Sequence, residues 1–161
     1  MTSFGTSIYS AMCLALLVFI GACGGKETES SSAAAPGSDL TAFQLEHGIG
    51  PVTEVMTLTS IDEALADSGA ALFNTKCAAC HKLDERYVGP ALREITLRRS
   101  PAYIVNMIIN PDEMIKSHPE ARQLLAEYMT MMPNQNITMA DARALLEYLR
   151  RSGSTSPETA P

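Results

Sequence analysis

Apolar residues recur at helical spacing in four places along the chain, and no stretch alternates convincingly at period two. Ile61, Ala64, Leu65, Ser68 and Leu72 share one face, which predicts an amphipathic helix over roughly residues 61–76. Ser100-Pro101 places a capping serine before a proline at the first helical position, with Ile104, Met107 and Ile108 following on one face. Asn110-Pro111 should end that helix, because a proline biases the residue before it away from helical geometry. Pro119 opens a third helix carrying Leu124, Leu125 and Tyr128. The fourth is the clearest. Thr138-x-x-Asp141 is a capping-box pattern, and Ala142, Leu145, Leu146 and Leu149 form the i, i+3, i+4, i+7 stripe. These elements predict an all-α core over residues 61–151, without an internal repeat.

The chain ahead of this core has a different character. Residues 11–22 are an apolar run too short to span a bilayer, and they fit the central region of an export signal. The run closes on Ile20-Gly21-Ala22-Cys23, which resembles a bacterial lipobox and makes Cys23 the expected lipid anchor. Residues 1–10 contain no Lys or Arg, a departure from the usual positive start of such signals. Small and polar residues follow and cannot bury enough surface to offset ordering entropy. Residues 23–45 therefore read as a flexible tether, with a reach of about 25 Å for roughly 20 residues. From 44 to 60, Gly48, Gly50 and Pro51 interrupt apolar positions of no clean period, as expected of an extended segment lying on the domain. The expected layout is a signal peptide over 1–22, a tether over 23–45, a domain over 46–152 and a disordered tail over 153–161.

Composition changes this picture little: 46 % of the 161 residues are hydrophobic and 19 % charged. The formal net charge of −6 argues against a nucleic-acid partner, because phosphate binding needs a basic face. The 4 cysteines are more informative. Cys13 and Cys23 lie in the leader, whereas Cys77 and Cys80 form a close pair, which is not a disulfide framework.

Cys77-Ala78-Ala79-Cys80-His81 carries the chemistry. Two thiols at this spacing can each add to a vinyl group of one porphyrin, which places the adjacent histidine beneath the iron. Two rivals use the same residue types. A thioredoxin-like dithiol needs a βαβ context that the pattern lacks. A structural zinc ion needs a fourth ligand, and only distant His47 or His118 remain, two residues otherwise expected at the surface. One covalent haem c is the expected cofactor.

The sixth iron ligand must come from elsewhere. Thr130-Met131-Met132-Pro133-Asn134-Gln135-Asn136 places two methionines in a polar loop, where core packing explains them poorly. Pro133 biases Met132 to an extended backbone and projects its side chain from the loop. Met132 is the first candidate, with Met131, Met129 or a histidine as alternatives. A thioether is a soft donor that favours Fe(II) and raises the potential.

With these residues in view, residues 61–151 resemble a class I bacterial cytochrome c. The resemblance implies about four to five helices around one haem, with the extended N-terminal segment wrapped on the domain. It implies that Gly69 and Phe73 cross the last helix at Leu145 and Tyr148. Val88-Gly89-Pro90 matches the family loop whose proline carbonyl accepts a hydrogen bond from the ligand histidine, here His81. Met132-Pro133 matches the family's methionine loop. The block Met-Met-Pro-Asn-Gln-Asn and the preceding extended segment resemble a Bacteroidetes/Rhodothermus-type subgroup. The chain has no Trp, which many bacterial members place near a haem propionate. Arg93, Arg98, Arg99 and Tyr103 are the alternatives.

A single C-x-x-C-H and a closed His/Met pair imply one-electron transfer and no enzyme activity. The expected role is a monomeric, lipid-anchored shuttle on the periplasmic side of a cell-envelope membrane. Its expected partners are respiratory complexes, from a quinol-oxidising complex to a terminal oxidase or another reductase. The alternatives are a haem enzyme or ligand sensor with an open iron, and a permanent haem subunit of a larger complex. Lys76, Lys82, Arg86, Arg93, Arg98 and Arg99 outnumber the acids among them, whereas residues 26–67 are strongly acidic, an asymmetry suited to steering a partner.

Overall fold

The computed structural model describes residues 39–155. The signal-peptide and lipobox segment, most of the tether and residues 156–161 lie outside them. Among the described residues there are seven α-helices and no strand. They are α1 (Ala42–His47), α2 (Glu63–Leu72), α3 (Ile95–Arg98), α4 (Pro101–Ile109), α5 (Pro111–Ser117), α6 (Pro119–Tyr128) and α7 (Met139–Ser154), with a π-helical turn (Phe73–Cys77) continuing α2. The helix count exceeds the four to five expected because α1, α3 and α5 are too short to show a period.

The longest helix, α7, starts as its sequence predicts. Thr138 Oγ1 accepts from the Asp141 amide at 3.1 Å, and Asp141 Oδ2 accepts from the Thr138 amide at 3.3 Å. Its apolar stripe packs across α2. A Cβ on Gly69 would overlap the Ala144 carbonyl and lie 2.9 Å from Tyr148 Cβ, so only glycine allows the two backbones this close. Phe73 and Tyr148 pack beside the crossing with ring centroids 5.2 Å apart. Leu145, Leu146 and Leu149 are buried with Ile104 and Val105 of α4, which makes this the main core.

The start of α2 falls at Asp62, whose carboxylate caps the helix by accepting from Leu65 N at 3.0 Å. Asn110-Pro111 ends α4 and also begins α5. Asn110 is the last cap of one helix, and Pro111 supplies the first position of the next, where a missing N–H costs nothing.

Two expected boundaries move. Residues 42–45 were expected in the tether and 44–47 in an extended segment, yet Thr41 and Gln44 form a reciprocal capping box that starts α1. The ordered domain thus begins before residue 46. At the other end, Gly153 and Ser154 belong to α7 and not to a disordered tail, because Arg93 donates to the Ser152 carbonyl at 2.8 Å and the Thr155 carbonyl at 3.3 Å. These contacts satisfy carbonyls at the helix end that have no intrahelical backbone donor.

Residues 48–62 carry no helix and lie on the domain as expected of the extended segment, the first part against α4 and the end against α7, where Arg150 donates to the Thr59 carbonyl at 2.6 Å. Buried Asn106 fixes them: its amide donates to the His47 and Val52 carbonyls, both at 3.0 Å, and its oxygen accepts from Val52 N at 2.9 Å. Asn110 adds a bond to the Ile49 carbonyl at 3.2 Å.

His47 and His118 were expected at the surface and are buried instead, at 8 % and 0 % exposure. His47 Nδ1 pairs with Ser100 Oγ at 2.8 Å, and His118 Nε2 donates to the Leu45 carbonyl at 3.1 Å. Each ring ties α1 to the body of the domain, a long-range role that a single sequence does not display.

Candidate haem site

The π-helical turn places the attachment motif. Ala78 N donates to the Phe73 carbonyl at 2.8 Å, the wide bond of a π turn, so the chain leaves α2 with an extra residue just before its cysteines. Cys77 and Cys80 are free thiols, both half-buried. Burial, and then the neighbouring Cys80, push the Cys77 thiol above its ordinary value. Cys80 O accepts from Gly89 N at 2.8 Å, which brings the Val88-Gly89-Pro90 loop back over His81.

That loop settles the histidine. His81 Nδ1 lies 3.0 Å from the Pro90 carbonyl. A carbonyl only accepts, so Nδ1 carries the proton and Nε2 keeps its lone pair. Burial pushes the imidazole below its ordinary value, partly opposed by the Pro90 bond, and so favours the neutral, ligating form. A Cβ on Gly89 would stand 2.5 Å from His81 Cε1, so glycine here is required for the loop to lie against the ring.

Cys77, Cys80, His81, Gly89, Pro90 and Met132 all line one open cleft. Its walls are apolar: Leu92 and Ile95 come from the loop and α3, Ile104, Met107 and Ile108 from α4, Leu124 and Leu125 from α6, and Leu145 and Leu149 from α7. The methionines separate clearly. Met129 is 83 % exposed and does not line the cleft; Met131 lines it but is 57 % exposed; Met132 is half-buried and packs on the Tyr103–Met114–Ile115 cluster. Cys23 lies outside the described residues.

The polar candidates divide as well. Arg93 forms a two-point ion pair with Asp84 and caps α7, and Arg98 donates to the Ala91 carbonyl at 2.9 Å, so neither faces the cleft. Arg99 and Tyr103 do line it. Arg99 is paired with Glu120 at 3.0 Å and lies 5.1 Å from the Tyr103 ring centroid. The Tyr103 hydroxyl is buried without a hydrogen-bond partner, and burial raises it to about 12. An orphaned hydroxyl in an apolar cleft is costly unless a bound group completes it.

The cleft therefore fits a flat, largely apolar macrocycle with acidic substituents. It offers two thiols for attachment, one imidazole and one thioether for the metal, and Tyr103 with Arg99 near its ring on the wall. An all-helical domain with this arrangement is a c-type cytochrome. The chain belongs to the cytochrome c family, whose model matches residues 66–152, and it carries covalently bound haem c in an electron-transfer haem protein.

The chain is 52 % identical to a cytochrome c of Rhodothermus marinus of known structure, covering 68 % of this chain and 95 % of that one with a TM-score of 0.65. An engineered cytochrome c from the same organism is 50 % identical over 70 % of this chain and 97 % of its own, with a TM-score of 0.66. The resemblance to a class I, Rhodothermus-type cytochrome is thereby confirmed. Cytochrome c-551 of Stutzerimonas stutzeri is 48 % identical over 42 residues, 26 % of this chain and 40 % of that protein. Cytochrome c-553-like protein of Synechocystis is 30 % identical over 69 residues, 40 % of this chain and 66 % of its own length. The chain thus spans less than two thirds of either curated relative.

Proposed function

We propose that this chain is a lipid-anchored monohaem electron shuttle on the periplasmic side of a cell-envelope membrane. In this reading it passes single electrons from a quinol-oxidising complex to a terminal oxidase or another reductase. Cys77 and Cys80 hold the haem, His81 and Met132 ligate its iron, and Cys23 carries the lipid. When bound, the haem supplies a one-electron Fe(III)/Fe(II) couple. The observation that carries the reading is His81, fixed as a neutral ligand by Pro90, in the same apolar cleft as the half-buried Met132. Two protein ligands leave no position for a substrate, which favours electron transfer over catalysis.

Exposed Lys76 lines the cleft, and Lys82 and Arg86 lie on the following loop, whereas α1 and the extended segment carry acids. Lys76 and Lys82, which pair with no carboxylate among the described residues, suit an acidic docking face on a membrane complex. The test mixes reduced protein with native membranes and follows its oxidation. The rate should fall as salt rises, and Cys23→Ser should release the protein from those membranes. A salt-independent rate would remove the steering, and unchanged attachment would remove the anchor. A second reading, a haem enzyme with an open iron, draws on the engineered Rhodothermus protein described as bound to a carbene intermediate. Rapid carbon monoxide binding by the unmodified ferrous protein would favour it.

A further inference from the structure

Arg86 lies in the loop that follows the attachment motif and reaches across to the opposite rim of the cleft. Its Nη1 donates to Glu127 Oε1 at 3.0 Å, and its Nη2 donates to the Glu127 carbonyl at 2.9 Å. The same guanidinium lies 4.1 Å from the centroid of the Tyr128 ring, which lines the cleft. Glu127 and Tyr128 are the last two residues of α6. Carbonyls in a final helical turn lack intrahelical partners and carry the negative end of the helix dipole, so a cation from elsewhere caps them well. Immediately afterwards the chain turns left-handed at Met129, with φ of 53°, a conformation that favours glycine, and runs to Met131 and Met132. One side chain from the histidine rim thus secures the point where the methionine loop departs.

We propose that Arg86 is a latch: a positioning residue that holds the methionine loop closed and so limits how often outside ligands reach the iron. It acts through Glu127 and Tyr128 and does not itself line the cleft. The inference rests on Met132 as the sixth ligand. Arg86 and Glu127 are 56 % and 54 % exposed, so salt should screen the ion pair and loosen the latch. Loop opening is a low-free-energy local event, and its population responds to a single modest contact.

The test is the rate at which imidazole binds to the ferric holoprotein. Arg86→Ala should accelerate binding about three- to tenfold, the range that one exposed ion pair and one cation–π contact can supply. Added salt should speed binding in the wild type and leave Arg86→Ala nearly unchanged. Amide exchange at residues 129–132 should quicken in the variant. Arg151→Ala is the control, because it breaks a different exposed network, to Glu63 and Asp67, and should not change the imidazole rate. A wild-type rate in Arg86→Ala, or equal acceleration by Arg151→Ala, would overturn the latch. Failure of the underlying ligand reading looks different. In that case wild-type ferrous protein would bind carbon monoxide as readily as Met132→Leu, before Arg86 is touched.

Discussion

Where α2 crosses α7, glycine, rings and leucines pack closely, and in the extended segment beside them the Val52 and Ile49 carbonyls pair with Asn106 and Asn110. Around the cleft the same chain presents the two haem-attaching cysteines, an apolar wall and a buried tyrosine hydroxyl with no protein partner. The first region is complete as polypeptide; the second is a core with its centre left for another molecule. The haem is therefore part of the hydrophobic core as well as the redox centre, and the two regions should respond differently to substitution.

The largest effect should come from Cys77→Ser with Cys80→Ser. Exposing several cleft side chains at about 1.5–3 kcal/mol each would consume most of a stability of about 5–15 kcal/mol. Circular dichroism should show no cooperative melt, and a wild-type melting curve would mean that the cleft holds together without its cofactor. On the complete side, Asn106→Ala should cost about 3 kcal/mol, because it strands buried groups of His47 and Val52 while leaving the haem spectrum intact. A changed spectrum would show that the segment and the cleft are coupled. Gly69→Ala should cost about 2 kcal/mol through forced separation of the helices, read from denaturant midpoints.

The smallest effect concerns Asp84, whose carboxyl the Arg93 hydrogen bond holds below its ordinary value of 3.8. Its contribution is present above that value and is lost as pH falls through the folded-state value. Wild type and Asp84→Asn should thus differ in melting temperature at neutral pH and converge in acid. A gap that persists in acid would assign the effect to packing.

The sequence showed the two regions unequally. The α7 stripe, its capping box and the attachment motif are local patterns, so they could be read directly. The crossing of Gly69 and Phe73 with Leu145 and Tyr148, and the turn of Pro90 onto His81, came through family resemblance and stand in the structure. The short helix α1 was missed because six residues give no period, although Thr41 and Gln44 form a capping pattern. His47 and His118 depart from the expected surface position for a common reason: each bonds a group more than fifty residues away in sequence, His118 the Leu45 carbonyl and His47 the serine that caps α4. Arg99 and Tyr103 line the cleft whereas Arg93 and Arg98 do not, a division set by tertiary packing and not by local pattern.

The central claim is that Met132 closes the iron opposite His81, and carbon monoxide binding to the ferrous protein tests it most directly. Met132→Leu keeps volume and apolarity, so the fold should lose less than about 1.5 kcal/mol. It should nevertheless open the iron to carbon monoxide and lower the reduction potential sharply. Met131→Leu and Met129→Leu should bind as little as wild type, since Met131 is largely exposed and Met129 lies outside the cleft. Opening by Met131→Leu in place of Met132→Leu, or no opening by any of the three, would contradict the account.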